Sequence, residues 1–441
     1  MSTRNWAHML DRTIERHAVI ILGGGPGGLG IAALLAGWRP RLVPGFPSHG
    51  FPPPIAKLLH AHSPDLLSAD FRPLVEAGMN PGDLFRALHH PGNSYGKGAS
   101  GMAFRKTQPV DFVLVTNEEV GGLWNNVPRN QLTLSPGRWM EMAPHPVASF
   151  ARDSGRAIVP EDLIRKNDLV PYYHSIPGKL GFADRVRSGV HISAISPGEK
   201  GRGFLLLGKR SGDGPELRFA SDFLVFAPGP RSLLRRLNVP GESLPFVTHH
   251  YDDWSDFPGH RVAVIGGGRS ADWAATELHD AGKLVTYVMR QEPELQERLI
   301  NESLHLPYYA RLRSIIDTGS AGLRRVFRAH VQEFTAGGGI KIDVLGQAEA
   351  LGVDHAIVEI GGEPDYGLLK RFAPLSLQPK RDNYRFQLNQ MRVHPETGES
   401  VDIANLFPAG YLVEGTGLSV IGFHGAAYPA AAAILRRSAA P

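Results

Sequence analysis

The stretch Val19-Ile20-Ile21-Leu22-Gly23-Gly24-Gly25-Pro26-Gly27-Gly28 limits what this chain can fold into more than any other. Four apolar residues read as a buried parallel strand. They run into G-x-G-x-x-G at Gly23, Gly25 and Gly28, and an apolar stretch of helical character follows from Leu29 to Leu35, ending at Gly37. Strand, glycine turn and helix in this order form the context of a dinucleotide fingerprint. Gly23 permits the tight turn, Gly25 lets backbone approach a pyrophosphate, and Gly28 lets the helix sit on the strand. The helix start then offers free N–H groups and a positive dipole end to phosphates. A tight structural turn would use the same residues, so the weight falls on a second copy.

That copy is Arg261-Val262-Ala263-Val264-Ile265-Gly266-Gly267-Gly268-Arg269-Ser270-Ala271, about 240 residues later. Asp272 to Ala281 reads as its helix, stopped by Gly282. Ala271 stands at the third fingerprint position, which the pattern permits. The next strand, Leu284 to Met289, ends at Arg290 rather than at an acid. A guanidinium there can pair with a ribose 2′-phosphate, which favours NADPH over NADH. The plain alternative is a solvated strand-end charge.

Length and composition bound the rest. The 441 residues suggest two domains, with three possible. Apolar content of 42% with 20% charged residues suits a chain with a large core. The net charge is only +4, and no basic run interleaved with aromatics is present, so no nucleic-acid partner is expected. Cysteine is absent. This excludes structural disulfides, thiolate metal sites and any C-x-x-C relay, and no metal is expected. Met1 to His17 has no apolar core of a secretory signal, and no apolar run reaches membrane-spanning length. A cytoplasmic location without membrane contact is the expectation. The 51 glycines and 35 prolines point to many loops rather than disorder, because apolar strands recur throughout.

In chain order, residues 1–16 read as an arm that Trp6, Met9 and Leu10 could anchor. Arg41-Leu42-Val43 reads as the second strand, but Pro44 follows where an acid for the ribose hydroxyls would stand. Residues 44–109 are a loop-rich insertion with short helices at Ile55–His60 and Asp83–Leu88. So long an insertion is either a cover over a cofactor or a surface elaboration or dimer contact. Val110 to Val115 is a strand leading to Glu118-Glu119-Val120-Gly121-Gly122-Leu123-Trp124. Two glycines before a Trp let backbone approach a flat ring, although a β-turn with a core Trp would look the same.

Asn130 to Met142 has strand-then-turn character, and Val159-Pro160 to Arg165 reads as a helix start. Tyr172-Tyr173 opens a helical stretch to Gly181, interrupted by Pro177. Val190–Ile192, Phe204–Leu207 and Phe219 suggest a meander into Phe223 to Gly229. The turn-rich Leu237 to Glu242 marks a domain switch. Residues 291–335 read as charged and helical, with Leu295, Leu299 and Leu304 on one face. Ile340–Val344 and Ala356–Ile360 complete a small sheet. The C-terminal part returns to glycine-rich motifs at Leu406–Tyr411 and Gly415–Ala427, then an Ala-rich helix to Arg437. The start of such a helix can set its dipole against an electron-rich ring edge.

These readings combine into an α/β chain of two dinucleotide-binding Rossmann-like domains, the NADPH domain inserted in the FAD domain. The expected limits are an arm at 1–16, FAD domain at 17–245, NADPH domain at 246–375 and FAD return at 376–441. Here the chain resembles the single-component, NADPH-using flavin monooxygenases and, more narrowly, the oxidative-stress-induced growth inhibitor family. The narrower likeness rests on Gly23–Gly28, the insertion before Phe112–Val115, Gly121–Trp124, Leu134–Met140, Tyr172-Tyr173 and Gly362–Asp365, and covers most of residues 17–435. A degenerate copy of the monooxygenase motif F-x-G-x-x-x-H-x-x-x-(W/Y/F) keeps His250 and Trp254, with Leu244 and Phe246 replacing its Phe and Gly. Those departures leave the Baeyer–Villiger subgroup unassigned, and His250 and Trp254 could equally brace the linker.

The resemblance implies FAD and NADPH, with O₂ and a small-molecule substrate as partners. Its chemistry is a flavin C4a-hydroperoxide that oxygenates an amine nitrogen or a sulfur. The absent cysteines argue against the disulfide reductases that share the fold. An NADPH oxidase or reductase, and a non-catalytic flavoprotein acting through partner binding, are the alternatives. On this reading Gly23, Gly25, Pro26, Gly27 and Gly28 hold the FAD pyrophosphate, and Gly121, Gly122, Leu123 and Trp124 border the flavin. Gly410, Gly422, Phe423 and Ala426 meet its far end. Gly266, Gly268, Arg269, Ser270, Ala271 and Arg290 hold NADPH. Arg138, His250 and His424 are the catalytic candidates, and Glu118 or Glu119 could partner the FAD ribose. Oligomeric state is open.

Overall fold

The computed structural model describes residues 14–46, 51–89, 100–212, 214–381, 387–416 and 420–439. The first strand runs over Ile14–Leu22. Residues 14–16 belong to it rather than to an arm, because Ile14 to His17 pair with Arg218 to Ser221. Trp6, Met9 and Leu10 lie outside the described residues. Val19, Ile20 and Ile21 are fully buried, as a strand with parallel neighbours on both sides requires. Those neighbours are Phe112–Val115 and Glu216–Phe226. Leu406–Pro408 pairs with the latter and Val186–Arg187 with the former. The expected meander is present: Val190–Pro197, Phe204–Arg210 and Glu216–Phe226 pair antiparallel.

The second strand departs from expectation. Trp38–Leu42 pairs antiparallel with Met102–Lys106, off the main sheet. Phe112–Val115 takes the place beside the first strand. The reason is physical: Phe112–Val115 is four buried apolar residues, whereas Trp38-Arg39-Pro40-Arg41-Leu42 has a proline and two arginines and cannot fill a central strand. The insertion is core rather than a loose cover. Leu59, Phe71, Leu84, Phe85 and Leu88 are buried in the same cluster as the first nucleotide helix, Pro26–Leu35. Its helix Pro81–His89 crosses the C-terminal helix Val420–Ser438 backbone to backbone. A Cβ on Gly425 would stand 2.2 Å from the Gly82 carbonyl oxygen. Phe85 stacks on Tyr428 with centroids 4.1 Å apart and planes 3° from parallel.

The second domain is a five-stranded parallel sheet in the order Val247–Thr248, His355–Glu359, Arg261–Gly266, Leu284–Val288, Leu323–Val326. Helices Arg269–Asp280, Pro293–Glu302 and Pro307–Asp317 cover one face. A three-stranded antiparallel sheet, Ala329–Thr335, Gly339–Val344 and Gln347–Gly352, covers the other. Residues 340–344 and 356–360 therefore serve two sheets, not one. The expected helical run 291–335 ends at Asp317, and Leu304 lies past a helix end and is 44% exposed. Near 160, Leu163–Arg165 is a strand paired with Leu132–Pro136, and the helix begins only at Lys166.

The chain crosses between domains where Leu233–Leu234 pairs antiparallel with Gly362–Glu363. Leu237, Val239, Leu244 and Phe246 already pack in the second domain, and Leu369, Phe372 and Leu375 already in the first. The crossings therefore fall near 234 and 362 instead of 245 and 376, because Pro240-Gly241 turns within the second domain. Among the described residues no helix is long and apolar enough to cross a membrane.

Because Phe85 is 1% exposed, Phe85→Ala is expected to lower stability by about 3–5 kcal/mol and Phe85→Leu by clearly less. Thermal unfolding with flavin release as a second probe reads this. A loss of the size seen at surface positions would show that the insertion is not part of the core.

Candidate functional site

Three backbone segments close on the first glycine turn. Gly23 adopts φ +115, and a Cβ there would stand 2.0 Å from the Ala227 carbonyl oxygen. Its N–H donates to the Val115 carbonyl at 2.8 Å. A Cβ on Gly122 would stand 2.7 Å from Gly25 Cα, and one on Gly27 would stand 2.7 Å from both Cα and N of Gly410. The strand Leu406–Pro408 delivers Gly410, with the Ala409 N–H donating to the Phe226 carbonyl at 3.0 Å. The neighbours of the first strand lie on opposite sides of it, so this turn is the topological switch point where such sheets bind ligands. Around Gly25, among the described residues, only Gly122 Cα lies within 4 Å of a hypothetical Cβ, at 3.7 Å. Pro26 opens the helix, whose first-turn N–H groups have no partner within it. A glycine-walled seat before unsatisfied amides fits the pyrophosphate of FAD.

Gly121 and Gly122 thus approach another backbone, and the turn Gly122–Asn126 also has the plainer character weighed above. Trp124 packs partly into the core while Leu123 stays 37% exposed. Glu118 accepts from Asn126 Nδ2 at 2.8 and 3.0 Å, and Glu119 accepts from Ser188 Oγ at 3.4 Å.

The three catalytic candidates occupy different surroundings. His424 is buried beneath the first nucleotide helix, where a Cβ on Gly30 would meet its Cδ2 at 3.3 Å. Burial pushes its pKa down to about 3; the neighbouring His89 adds to the fall, and a hydrogen bond to the Pro26 backbone opposes it. Proline has no N–H, so that bond runs to the carbonyl. His424 is therefore a neutral positioning residue rather than a group open to substrate. Arg138 sits in the turn Gly137–Trp139, its N–H donating to the Pro160 carbonyl and its guanidinium 3.8 Å from Glu161. His250 stands at the domain junction. Desolvation lowers its pKa, Lys166 and Arg231 act in the same direction, and Asp252 opposes. The backbone N of Ala426 lies against the insertion helix, 3.3 Å from a Cβ on Gly82. Gly422 and Phe423 belong to the C-terminal helix, but their surroundings lie outside the described residues.

The second turn is built differently. A Cβ on Gly266 would stand 2.3 Å from the Glu359 carbonyl oxygen and 2.9 Å from the Ala271 Cβ, which explains a small residue at 271. Gly268 faces open space. Arg269 opens the helix beside Ser270, and its guanidinium lies over the Tyr309 ring, 5.4 Å from the centroid. Arg290 is exposed at the strand end and has no hydrogen-bond or ion-pair partner among the described residues. An open glycine before a helix start, with a free guanidinium beyond the next strand, fits a dinucleotide carrying a 2′-phosphate.

Sequence reasoning missed two residues here. Asp272 is fully buried and accepts from Tyr287 Oη at 2.7 Å, Gln296 Nε2 at 2.9 Å and Tyr309 Oη at 2.9 Å. Its one sequence signal is an acid on the apolar side of a helix. Gln291 lays its Oε1 2.0 Å from the Cβ position of Gly267, with Nε2 buried and unpartnered. No pattern announces it.

Comparison with known proteins follows the same lines. A family model described as pyridine nucleotide-disulphide oxidoreductase matches residues 98–410. Oxidative stress-induced growth inhibitor 1 of Mus musculus is 25% identical, covering 98% of each chain. Bacillithiol disulfide reductase of Staphylococcus aureus aligns with a TM-score of 0.64 at 18% identity, over 96% of this chain and 99% of its own. Ornithine hydroxylase of Pseudomonas aeruginosa aligns with a TM-score of 0.60 at 13% identity, over 96% and 99%. At such identities the two structures speak to the fold, two Rossmann-like dinucleotide domains.

Gly122→Ala is expected to purify with little flavin, read as the ratio of flavin to protein absorbance, while Gly268→Ala keeps it. Equal flavin in both would refute the seat described here. For His424, nuclear magnetic resonance should show no imidazole titration between about pH 5 and 8. A histidine buried neutral gains its proton on unfolding. Its stabilising contribution is therefore complete above the ordinary value of 6.5 and is lost as pH falls toward about 3. His424→Phe should flatten that part of the stability profile.

Proposed function

Since the chain belongs to the pyridine nucleotide-disulphide oxidoreductase family, and is on that ground an FAD- and NAD(P)-dependent oxidoreductase, we propose that it is an NADPH-dependent flavin monooxygenase. It would oxygenate a small molecule at an amine nitrogen or a sulfur. In balance, NADPH, a proton, O₂ and substrate give NADP⁺, water and oxygenated substrate.

The observation that carries this reading is the absence of cysteine from all 441 residues beside two dinucleotide seats. A dithiol reductase passes electrons through a pair of protein thiols, and no such pair exists here. Electrons from the dinucleotide then leave by a route that uses no protein thiol of this chain: to O₂, to a diffusible molecule or to a partner's redox centre. The resemblance in the paired motifs and in His250 and Trp254 points to O₂.

Bound FAD and NADPH supply hydride transfer and oxygen activation. The chain supplies the rest. The turn Gly23–Gly28, walled by Gly122 and Gly410, holds the flavin dinucleotide by backbone N–H groups. His424 fixes the Pro26 carbonyl at the start of that helix. Leu123 and Trp124, which follow the paired glycines, would border the flavin ring. Gly266, Gly268, Ser270 and Ala271 seat the second pyrophosphate, with Arg290 on the 2′-phosphate. His250, with its lowered pKa, is neutral at pH 7 and able to take a proton at the domain junction. Arg138, held by Glu161, is the candidate for substrate binding.

The test is oxygen accounting. With NADPH and isotopically heavy O₂, a panel of primary amines and thioethers should include one that gains a heavy oxygen atom and lowers peroxide release per NADPH. One peroxide per NADPH with every compound would assign an NADPH oxidase. NADPH oxidation that requires an added small disulfide would assign a reductase working without protein thiols. Flavin that NADPH fails to bleach would leave a binding protein.

A further inference from the structure

In the second domain the topological switch point lies between Arg261–Gly266 and His355–Glu359. The next strands step away on the Leu284–Val288 side, and His355–Glu359 returns on the other. Glu359 ends its strand there, opposite Gly266. Its carboxylate is buried, and it accepts the Tyr251 N–H at 3.2 Å and Arg231 Nη2 at 3.4 Å. Burial raises its pKa, with Arg231 opposing.

Arg231 reaches this point from the first domain. It lies four residues past Ala227, whose carbonyl bounds Gly23 at the other switch point. It then enters the crossing ribbon, where a Cβ on Gly362 would stand 3.0 Å from Arg231 Cα. An arginine four residues past the wall of the first turn thus reaches the carboxylate that ends the strand beside the second, and its side chain is 20% exposed. Among the described residues its Nε is buried with no hydrogen-bond partner, and its one ion-pair contact is the long 3.4 Å contact to Glu359. A guanidinium carries five N–H donors in a fork that matches phosphate oxygens two at a time. A buried carboxylate beside a phosphate seat would repel its ligand unless a cation stood against it.

We propose that Arg231 seats the pyrophosphate of the nicotinamide dinucleotide at the domain junction, exchanging its contact with Glu359 for phosphate oxygens as the dinucleotide enters. The assignment rests on the NADPH-using reading above. It divides recognition between two arginines: Arg231 reads the pyrophosphate, common to NADPH and NADH, and Arg290 reads the 2′-phosphate. Glu359 keeps Arg231 in place and competes for it.

Calorimetric binding of NADP⁺, NAD⁺ and adenosine 2′-phosphate to the flavin-loaded protein tests this without turnover. Arg231→Gln should weaken NADP⁺ and NAD⁺ at least tenfold alike and leave adenosine 2′-phosphate, which has no 5′-phosphate, within twofold. Arg231→Lys should recover part of the loss. Arg290→Gln should give the converse pattern, sparing NAD⁺. Glu359→Gln removes the competitor and should tighten NADP⁺ at least twofold, a gain that structural damage does not produce. Wild-type binding by Arg231→Gln, or a Glu359→Gln variant weakened like it, would overturn the proposal. Wild-type protein that binds neither NADP⁺ nor NAD⁺ would overturn the functional reading as well.

Discussion

Backbone lies against backbone at the first glycine turn, and the rest of the fold is arranged around that contact. Gly25 faces Gly122, and Gly27 faces Gly410. A single Cβ at Gly122 or Gly27 would meet main-chain atoms, which no rotamer change can move aside. Three segments from distant parts of the chain must therefore arrive together. The strand Phe112–Val115 aims the first partner, and Leu406–Pro408 aims the second from beyond the whole inserted domain. The inserted domain must return its chain close to where it left, which the pairing of Leu233–Leu234 with Gly362–Glu363 secures.

The two turns share a pattern but not their walls, and the difference bears on how each holds its ligand. The first is closed by backbone on three sides: Ala227, Gly122 and Gly410. Beneath it, His424 braces the opening carbonyl of the helix from a buried position. The second is open at Gly268, and the atoms nearest a Cβ on Gly267 are the flexible end of Gln291. Main-chain walls hold a resident group, whereas a side chain with an unmet amide yields to one that comes and goes. A flavin that stays and a dinucleotide that exchanges each turnover need this asymmetry.

What the sequence made legible was local. Both strand–turn–helix units, the meander, the paired glycines before Trp124 and the return at Gly410 follow from periodicity and glycine spacing, and the structure has each in place. What escaped was decided by competition at a distance. Trp38–Leu42 loses the seat beside the first strand to Phe112–Val115, which lies some seventy residues on, so the insertion begins earlier and enters the core. The turn at Pro240-Gly241 looks like a domain boundary, but Leu237 and Val239 bury their side chains beyond it. His424 reads as a catalytic histidine in sequence, and only the crossing of helices at Gly30 shows it sealed from solvent. Asp272, Gln291 and Arg231 carry no motif, because their roles come from what the folded chain sets beside them.

The insertion and the lack of cysteine bear on the same question of where electrons go. With no cysteine, the chain has no thiol pair to relay electrons. Polar side chains at the junction tie its domains together. Arg129 grips Asp252 through Nε at 3.1 Å and Nη2 at 2.8 Å, and Asn130 donates to Glu277 at 2.8 Å, which also takes the Tyr251 hydroxyl at 2.6 Å. Half-exposed ion pairs alone contribute little. Here they flank a fully buried tyrosine, so loosening the junction would also expose the ring of Tyr251 stacked on Phe257. Asp252 and Glu277 thus join the strand-and-turn segment at Arg129-Asn130 of the first domain to Tyr251 of the second, beside a ring that the core already buries.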